Sequence, residues 1–492
     1  MNSKIFLKKI PYLNLIHKTA KAKKTNIWLV GGFLRDIVLA KDKDLRDFDF
    51  CVEKNVLAFV KQFSKEINSK FIVLDEAEQA YRVILKKKLK IYTYDFTLMR
   101  AANIYEDLGL RDFTINTLAL DLLDAKSQVL DYFGAIADIN KGIIKSPKME
   151  VLHQDPLRVL RGFSFMVNYG FRIEKNTQKA MVKYKKLIKN VSRERINEEL
   201  FKIFSSPRSY LAIKMMDDLR IIDEVIPQIT KTRKVRQGGF HHLDVWDHSL
   251  EALKEFELLY QKYISRKKEI LDYLNEPLAE NRPRFEIIKL ACLLHDIGKP
   301  IAKKKKGKRT IFHTHEKIGR DMAEVIAKTL KVSFREKEVL KKLIFWHLRP
   351  GYLADQITPT KRAIYHFFRD TEEEGVSVIL LSLSDWRATR GPLTNFKKRK
   401  RHEKIMLGLI DTYFRDKKKK PFVKLVDGYD IMRKFNLEPS ILVGKILKKI
   451  KEEQVLSRIK TKTDAYELAK RMVKSFNDEA PGVKIKEKHH EN

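Results

Sequence analysis

The chain has 492 residues, with 101 Lys and Arg against 64 Asp and Glu for a formal net charge of +37, and only two cysteines. That length implies several domains with packed cores, and the charge implies a polyanionic partner, because basic side chains that meet phosphates release condensed counterions; a surface that is simply lysine-rich is the plainer alternative. Cys51 and Cys292 stand far apart with no C-x-x-C, which argues against a disulfide framework and a cysteine zinc site and suits a reducing cytoplasm.

At the N-terminus, Lys8, Lys9 and Pro11 interrupt the chain before a long apolar stretch develops, and no later run would span a bilayer, so secretion and membrane insertion are not expected. Ile27-Trp28-Leu29-Val30 has the pattern of a buried strand, Gly31 and Gly32 allow a tight turn, and Phe33 to Ala40 has helical apolar spacing. Backbone N–H groups at a helix start point outward with the positive end of the dipole, so this turn suits phosphate, and Arg35 adds a fork of donors one turn in. Asp47 and Asp49 belong to a second strand, where alternate residues project from one face, so both carboxylates can hold one pair of divalent cations. Taken singly, a glycine pair is commonly a plain turn and Asp-x-Asp a solvated strand end. Their order and closeness point instead to transfer of a phosphoryl or nucleotidyl group.

Further apolar runs at Phe71 to Leu74, Val83 to Leu85 and Tyr92 to Thr97 alternate with helical stretches, which predicts a small mixed α/β head over residues 1–145. From Pro147 to about Val225 the pattern is helical, with Leu157, Leu160, Phe163, Met166 and Val167 at helix-face spacing, and residues 146–230 are expected to form an all-α neck. Asp155 and Arg158 are expected on one helix face, with Pro156 in the first turn. Gln237-Gly238-Gly239-Phe240 opens a helical, histidine-rich region over 231–400. Basic runs at Lys397 to Arg401 and Lys417 to Lys420 are expected to flank a linker and hinge. Residues 401–476 suggest short helices that are expected to contact RNA, with Val443, Ile446, Leu447 and Ile450 on one apolar face, and the polar tail 477–492 is expected to be disordered. There is no fixed-period repeat.

Three further segments carry a family likeness. Arg111-Asp112-Phe113-Thr114-Ile115-Asn116, His153-Gln154-Asp155-Pro156-Leu157-Arg158-Val159-Leu160-Arg161 and Glu194-Arg195-Ile196-Asn197-Glu198-Glu199-Leu200 follow the glycine and aspartate motifs in order. Together they resemble the second, base-reading and neck-helix motifs of class II tRNA nucleotidyltransferases and bacterial poly(A) polymerases. The resemblance implies a nucleotidyltransferase fold in the head and Mg²⁺ held by Asp47 and Asp49, with Asp95 as a third catalytic acid. It also implies a nucleotide site made by Gly31, Gly32, Arg35, Arg111, Asn116, Asp155, Arg158 and Arg161. The implied partners are tRNA, CTP and ATP, with no membrane and an unknown oligomeric state, and the implied location is cytoplasmic. Full CCA addition ranks first; CC addition alone and poly(A) synthesis are the alternatives within this chemistry.

Asp155 and Arg158 suggest how a protein selects C and A without a nucleic-acid template. A carboxylate only accepts hydrogen bonds and a guanidinium only donates, so the pair matches an exocyclic amino group beside a ring-nitrogen acceptor. Cytosine and adenine present that order; uracil and guanine reverse it. Three departures from the family pattern stand out: Gln154 replaces the usual Glu, Leu110 replaces the usual first arginine of the second motif, and only Ala101 to Tyr105 separate Arg100 from Glu106. Many relatives have a longer mobile loop there, implicated in the switch from C to A, so its shortening raises the CC-only alternative.

In the histidine-rich region, Asp244-Val245-Trp246-Asp247-His248, then Leu293-Leu294-His295-Asp296-Ile297-Gly298-Lys299, then Asp385 resemble an HD metal-dependent phosphohydrolase domain. The resemblance implies a divalent metal such as Mg, Mn or Ni on His248, His295, Asp296 and Asp385, with His315 and His347 available to a second ion. A degenerate domain kept as an RNA scaffold is the alternative. The basic run Lys303 to Arg309 is a solvated loop or a guide for an RNA backbone. A reading of a different class makes the chain chiefly a phosphohydrolase, with the head used for RNA binding.

Overall fold

In a computed structural model, residues 7–40, 45–87, 90–124, 128–279, 282–307, 309–418 and 423–479 are described. The chain divides into two compact units, the first Met1–Gln228 with Thr329–Lys331 and the second Ile229–Lys328 with Val332–Asn492.

The first unit begins with a mixed six-stranded sheet in the order β3-β4-β5-β2-β1-β6, formed by β1 (Ile27–Val30), β2 (Asp47–Val52), β3 (Phe71–Asp75), β4 (Ala80–Lys87), β5 (Lys90–Leu98) and β6 (Ala119–Asp121). Within this sheet, among the described residues, only β2 and β5 pair in parallel. Strand alternation explains what β2 does. Phe48 and Phe50 enter an aromatic core, with ring centroids 5.3 Å from Tyr94 and 5.0 Å from Phe96 respectively, and Asp47 and Asp49 therefore emerge on the other face. On the edge strand β3 the apolar run is not buried: Ile72, Val73 and Leu74 are exposed.

Helix α1 (Gly32–Val38) follows β1 directly, and the neck contributes α2 (Leu157–Tyr169) and α3 (Arg193–Phe204), which pack together and bury Leu160, Phe163, Leu200 and Phe204 among other residues. Asp155 does not share the face of α2 with Arg158 as the spacing suggested. It sits in extended backbone, φ −134° and ψ 96°, and Pro156 is the residue that caps the helix rather than one inside its first turn. Proline disfavours a helical conformation in the residue before it, which keeps Asp155 outside.

The second unit is helical and includes α4 (Val245–Lys262), α5 (Arg284–Leu294), α6 (His315–Thr329), α7 (Phe334–Trp346), α8 (Gly375–Ala388) and α9 (Phe396–Lys417). The expected linker between the basic runs is absent, because α9 carries the chain continuously from Phe396 to Lys417 and across the 400/401 boundary. Its buried His402, Met406, Leu409, Ile410 and Phe414 recur at helical spacing, so the basic side chains occupy the solvated face of a packed helix. Lys304–Lys306 and Arg309–Ile311 pair as a hairpin rather than forming an irregular loop. Three C-terminal helices, Gly428–Phe435, Ile441–Val455 and Lys462–Glu479, bury Val443, Ile446 and Ile450 in their own core, with Leu447 partly buried. Of the tail, 477–479 end the last helix, and 480–492 lie outside the described residues, as do Lys308, Lys419 and Lys420. Among the described residues no helix is long and apolar enough to cross a membrane. Cys51 and Cys292 are buried free thiols, and burial pushes the Cys51 thiol up to about 12.

Candidate nucleotide and metal sites

A cleft of about 500 Å³ in the first unit is lined by Gly31, Gly32, Arg35, Asp47, Asp49, Arg111, Asn116, Asp155, Arg158 and Arg161. The turn between β1 and α1 needs glycine at Gly31: its φ is +73°, and a Cβ would lie 3.2 Å from Arg111 Nη1 and 3.6 Å from Asp49 Oδ2. The same closeness sets Arg111 and Asp49 against the turn. In the first turn of α1 the amides of Gly32 and Phe33 have no intrahelical acceptor. Arg35 donates to Asn116 Oδ1 at 2.6 Å and to Asp36 Oδ1 at 2.9 Å, and its guanidinium stands 4.5 Å from the Tyr169 ring. Arg161, Phe165 and Tyr169 recur every four residues along α2, a spacing that could have flagged the two rings; Arg35 and Arg161 both stand over Phe165.

The Asp49 carboxyl is pushed up by burial and by the neighbouring charge of Asp95 and Asp47, against the pull of Arg111 and Arg35. A partly buried carboxylate crowded by two others is the donor set that a hard divalent cation satisfies. Thr93 donates its hydroxyl to Asp47. Asp95 is placed differently. It lies opposite Asp49 in the β2–β5 register, but both its oxygens accept from Arg82, at 2.8 and 2.7 Å, and it does not line the cleft. Nothing in the local sequence marks Arg82, whose position comes from the β4–β5 pairing.

The base-reading pair faces the same cleft. Arg158 Nη1 donates to the carbonyls of Leu110 at 2.9 Å and Val151 at 3.1 Å, which fixes the guanidinium, and its Nε lies 3.9 Å from Asp155 Oδ2. Asp155 accepts from the Leu157 amide at 3.2 Å and from Arg195 Nη2 at 2.9 Å. Asp112, named in the second motif but given no role there, is a buried junction: its Oδ1 accepts from the Phe113 amide at 2.8 Å and from Asn116 Nδ2 at 2.9 Å, and its Oδ2 forms an ion pair with Arg161 Nη2 at 2.9 Å. Burial would raise its carboxyl, yet Arg161 and those hydrogen bonds hold it below the usual range.

The second unit gathers all six expected metal-site residues. Two three-ligand groups, His248-His295-Asp296 and Asp296-His315-His347, have ligand atoms within 4.8 Å of one another and share Asp296. Asp385 Oδ1 lies 2.8 Å from His248 Nε2 and 3.7 Å from His295 Nε2. His295, His315 and His347 each direct Nδ1 at a carbonyl three residues back, Cys292 at 2.9 Å, Phe312 at 2.7 Å and Ile344 at 2.6 Å. A carbonyl only accepts, so Nδ1 carries the proton and Nε2 presents its lone pair to the centre. Nε2 of His295 and of His315 is buried without a hydrogen-bond partner among the described residues, which fits nitrogen ligands to a cation. Burial pulls His295 down, but Asp296 and Asp385 push it up to about 10; the negative field that would hold a proton there would equally hold a metal. Burial and the neighbouring His295 and His315 push His347 down to about 3.

Lys299, beyond the ligand set, donates to Asp296 Oδ2 and to Gln237 Oε1, both at 2.6 Å. Gly298 explains itself sterically: a Cβ would lie 2.3 Å from the His315 carbonyl oxygen and 2.6 Å from the Gly319 amide nitrogen, so α6 can begin there only over a glycine. His241, also unforeseen, packs edge-on to His248 with centroids 4.8 Å apart.

Three family models match parts of the chain. Residues 27–145 match the model of the "Poly A polymerase head domain", 170–232 that of the "Probable RNA and SrmB- binding site of polymerase A", and 241–390 that of the HD domain. The chain is 25% identical over 443 residues to a CC-adding tRNA nucleotidyltransferase of Thermus thermophilus, covering 89% of this chain and 91% of the relative. It is 25% identical over 462 residues to an A-adding tRNA nucleotidyltransferase of Deinococcus radiodurans, covering 92% and 96%. In fold it is similar to a CCA-adding enzyme solved with ATP, at a TM-score of 0.66 and 18% identity, covering 96% of this chain and 98% of that one. A Thermotoga maritima CCA-adding enzyme gives 0.64 at 18% identity with the same coverage.

Proposed function

We propose that this chain, which belongs to the family of class II tRNA nucleotidyltransferases and bacterial poly(A) polymerases and is a nucleotidyltransferase, adds C and A from CTP and ATP to the 3′ end of tRNA without a nucleic-acid template. The observation that carries the proposal is that one cleft is lined by Gly31 and Gly32, by Asp47 and Asp49, and by Asp155 and Arg158. A triphosphate seat, a metal clamp and a base reader share a single space, as nucleotide selection coupled to transfer requires.

In this reading Asp47 and Asp49 hold Mg²⁺, and the bound metal supplies activation of the attacking hydroxyl and neutralisation of the departing charge. The glycine turn, Arg35 and Arg111 receive the triphosphate, and Asn116 and Arg161, tied through Asp112, fix the sugar side. The RNA 3′-oxygen bonds to the α-phosphorus as the bond to the β-phosphate oxygen breaks and pyrophosphate leaves. Asp155 accepts from the exocyclic amino group of C or A while Arg158 donates to the ring nitrogen. A uracil or guanine would set donor against donor and acceptor against acceptor, a mismatch of roughly 1–3 kcal/mol per buried group.

A second reading, addition of CC alone, is favoured by one observation: β5 ends at Leu98 and the next helix starts at Ile104, leaving no room for the long loop of many relatives. The names of the Thermus and Deinococcus relatives, CC-adding and A-adding, favour such a division of labour. The test is tRNA ending before CCA, incubated with CTP, with ATP and with both. Growth by CCA supports the first reading, growth by CC with no A supports the second, and long A-tracts on many RNAs would make the chain a poly(A) polymerase.

For the second unit we propose a metal-dependent phosphohydrolase. His248, His295, Asp296 and Asp385 would hold one divalent ion and His315 and His347, with Asp296, a second. Such a pair of ions supplies an activated water and charge neutralisation at a phosphate ester.

A further inference from the structure

We propose that Asp107 is a positioning residue for nucleotide transfer, a carboxylate behind the cleft of the first unit that sets Arg100 and Arg111 inside it before a triphosphate arrives; this rests on the nucleotide reading of that cleft given above. Both arginines line the cleft and Asp107 does not. Arg111 stands at the phosphate end, where its Nη1 is the atom nearest to a Cβ built on Gly31. Arg100 stands at the base-reading end, since it lines both this cleft and the adjoining hollow together with Asp155 and Arg158. One acid therefore supports the two ends of the site.

Asp107 is 1% exposed, and a carboxylate so deeply buried is costly unless cations and hydrogen bonds meet it. Its Oδ1 accepts from the Arg100 amide at 2.9 Å and lies 3.5 Å from Arg100 Nε. Its Oδ2 faces Arg111 Nη2 at 3.6 Å. The other cleft arginines take acids that line the cleft themselves: Asp36 meets Arg35, Asp112 meets Arg161 and Asp155 meets Arg158. Asp107 differs by acting from behind the lining, where it orients guanidinium groups without touching a nucleotide. It is also held firmly. The short helix Ile104–Leu108 is capped by Asn103, whose Oδ1 accepts from the Glu106 amide at 2.9 Å. The next residue, Leu108, is fully buried in a cluster with Trp28, Val30, Cys51 and Ala119 of β1, β2 and β6. The short segment after Arg100 is thus a strut fixed to the sheet. Donors set in place before the ligand binds spare the cost of ordering them afterwards.

The test is calorimetry of CTP binding to the full chain with Mg²⁺ and no RNA. Asp107→Asn keeps the shape and an acceptor for Arg100 but removes the charge that faces Arg111. Taking a negative charge away from a phosphate seat would by itself tighten binding of an anion; a displaced Arg111 predicts the opposite sign. CTP is expected to bind about 10-fold more weakly, the scale for losing the support of a binding group. Asp107→Glu, which keeps the charge and shifts it by one methylene, should weaken CTP by a similar factor, and it serves as the second variant if the first does not fold. Because Asp107 acts through Arg111, adding Asp107→Asn to Arg111→Ala should change CTP affinity by less than about 2-fold. CTP binding as tight as the parent's in both single variants, or tighter in Asp107→Asn, overturns the proposal, and so do losses that multiply in the double variant. A parent that binds no CTP overturns the nucleotide reading and this proposal with it, whereas a parent that binds CTP confines any failure to Asp107.

Discussion

Arg195 Nη2 stands 2.9 Å from Asp155 Oδ2, so a residue of α3 holds the carboxylate that precedes α2. The Leu157 amide holds the other oxygen, and the Arg195 side chain is half exposed, so the orientation of Asp155 does not depend on the arginine alone. Asp155→Ala is expected to lower the preference for CTP and ATP over UTP and GTP on the order of 100-fold, whereas Arg195→Ala should cost about 10-fold in kcat/KM with the preference largely kept. Single-nucleotide incorporation with each of the four triphosphates measures both. An Asp155→Ala protein that still rejects UTP and GTP removes the base-reading role.

Asp49 and Asp95 face each other across β2 and β5, but Arg82 takes both oxygens of Asp95. Asp49→Asn should therefore slow extension on the order of 1,000-fold, the scale of losing a metal's charge stabilisation, and Asp95→Asn by only about 10-fold. Single-turnover extension rates at saturating Mg²⁺ decide the matter. Equal losses would make Asp95 an equal ligand.

Gly298 allows the backbone at His315 to approach within van der Waals contact of the turn after Asp296. Gly298→Ala should displace the start of α6, move His315 and weaken Mn²⁺ binding about 10- to 100-fold, the range for disturbing a ligand's support. Tailing of tRNA by the head should be unchanged. Stripping metal with chelator and titrating Mn²⁺ back into both proteins gives the comparison.

Glu286 is buried beneath the second unit's core, and burial, joined by Glu336 against Lys289 and Arg282, pushes its carboxyl up to about 7 from an ordinary 4.5. Between those values the folded protein binds more protons than the unfolded chain, so stability contributed here falls as pH rises and the loss is complete above about pH 7. Up to about 3 kcal/mol is at stake. Glu286→Gln should flatten this dependence and be more stable than the parent at pH 8. Denaturant unfolding of both proteins from pH 5 to pH 8 reads the difference, and parallel curves would contradict the assignment.

Much of the candidate chemistry was legible in the order of the residues because it rests on local rules. Gly31 and Gly32 after an apolar strand, Asp47 and Asp49 at strand period, and the ordered histidines and aspartates each state a chemical need within a few residues. Legibility failed where a side chain's partner lies far along the chain. Arg82 reaches Asp95 only through sheet register, and Asp155 leaves the helix face because Pro156 follows it. The basic run at Lys397 suggested a linker, since charge is easy to see; the buried His402 to Phe414 stripe that makes α9 a packed helix is interleaved with it.

By itself the amino-acid sequence determined the chemical inventory and the order of the motifs, because residue type and short-range periodicity are properties of neighbouring positions. Tertiary structure alone decided which of those groups are already satisfied and which remain open toward a ligand. Arg82 occupies Asp95, Arg195 steadies Asp155, and His402 backs Trp386 beside Asp385. Hydrogen bonding and stacking act over a few ångströms in space, and folding chooses which distant residues come within that range.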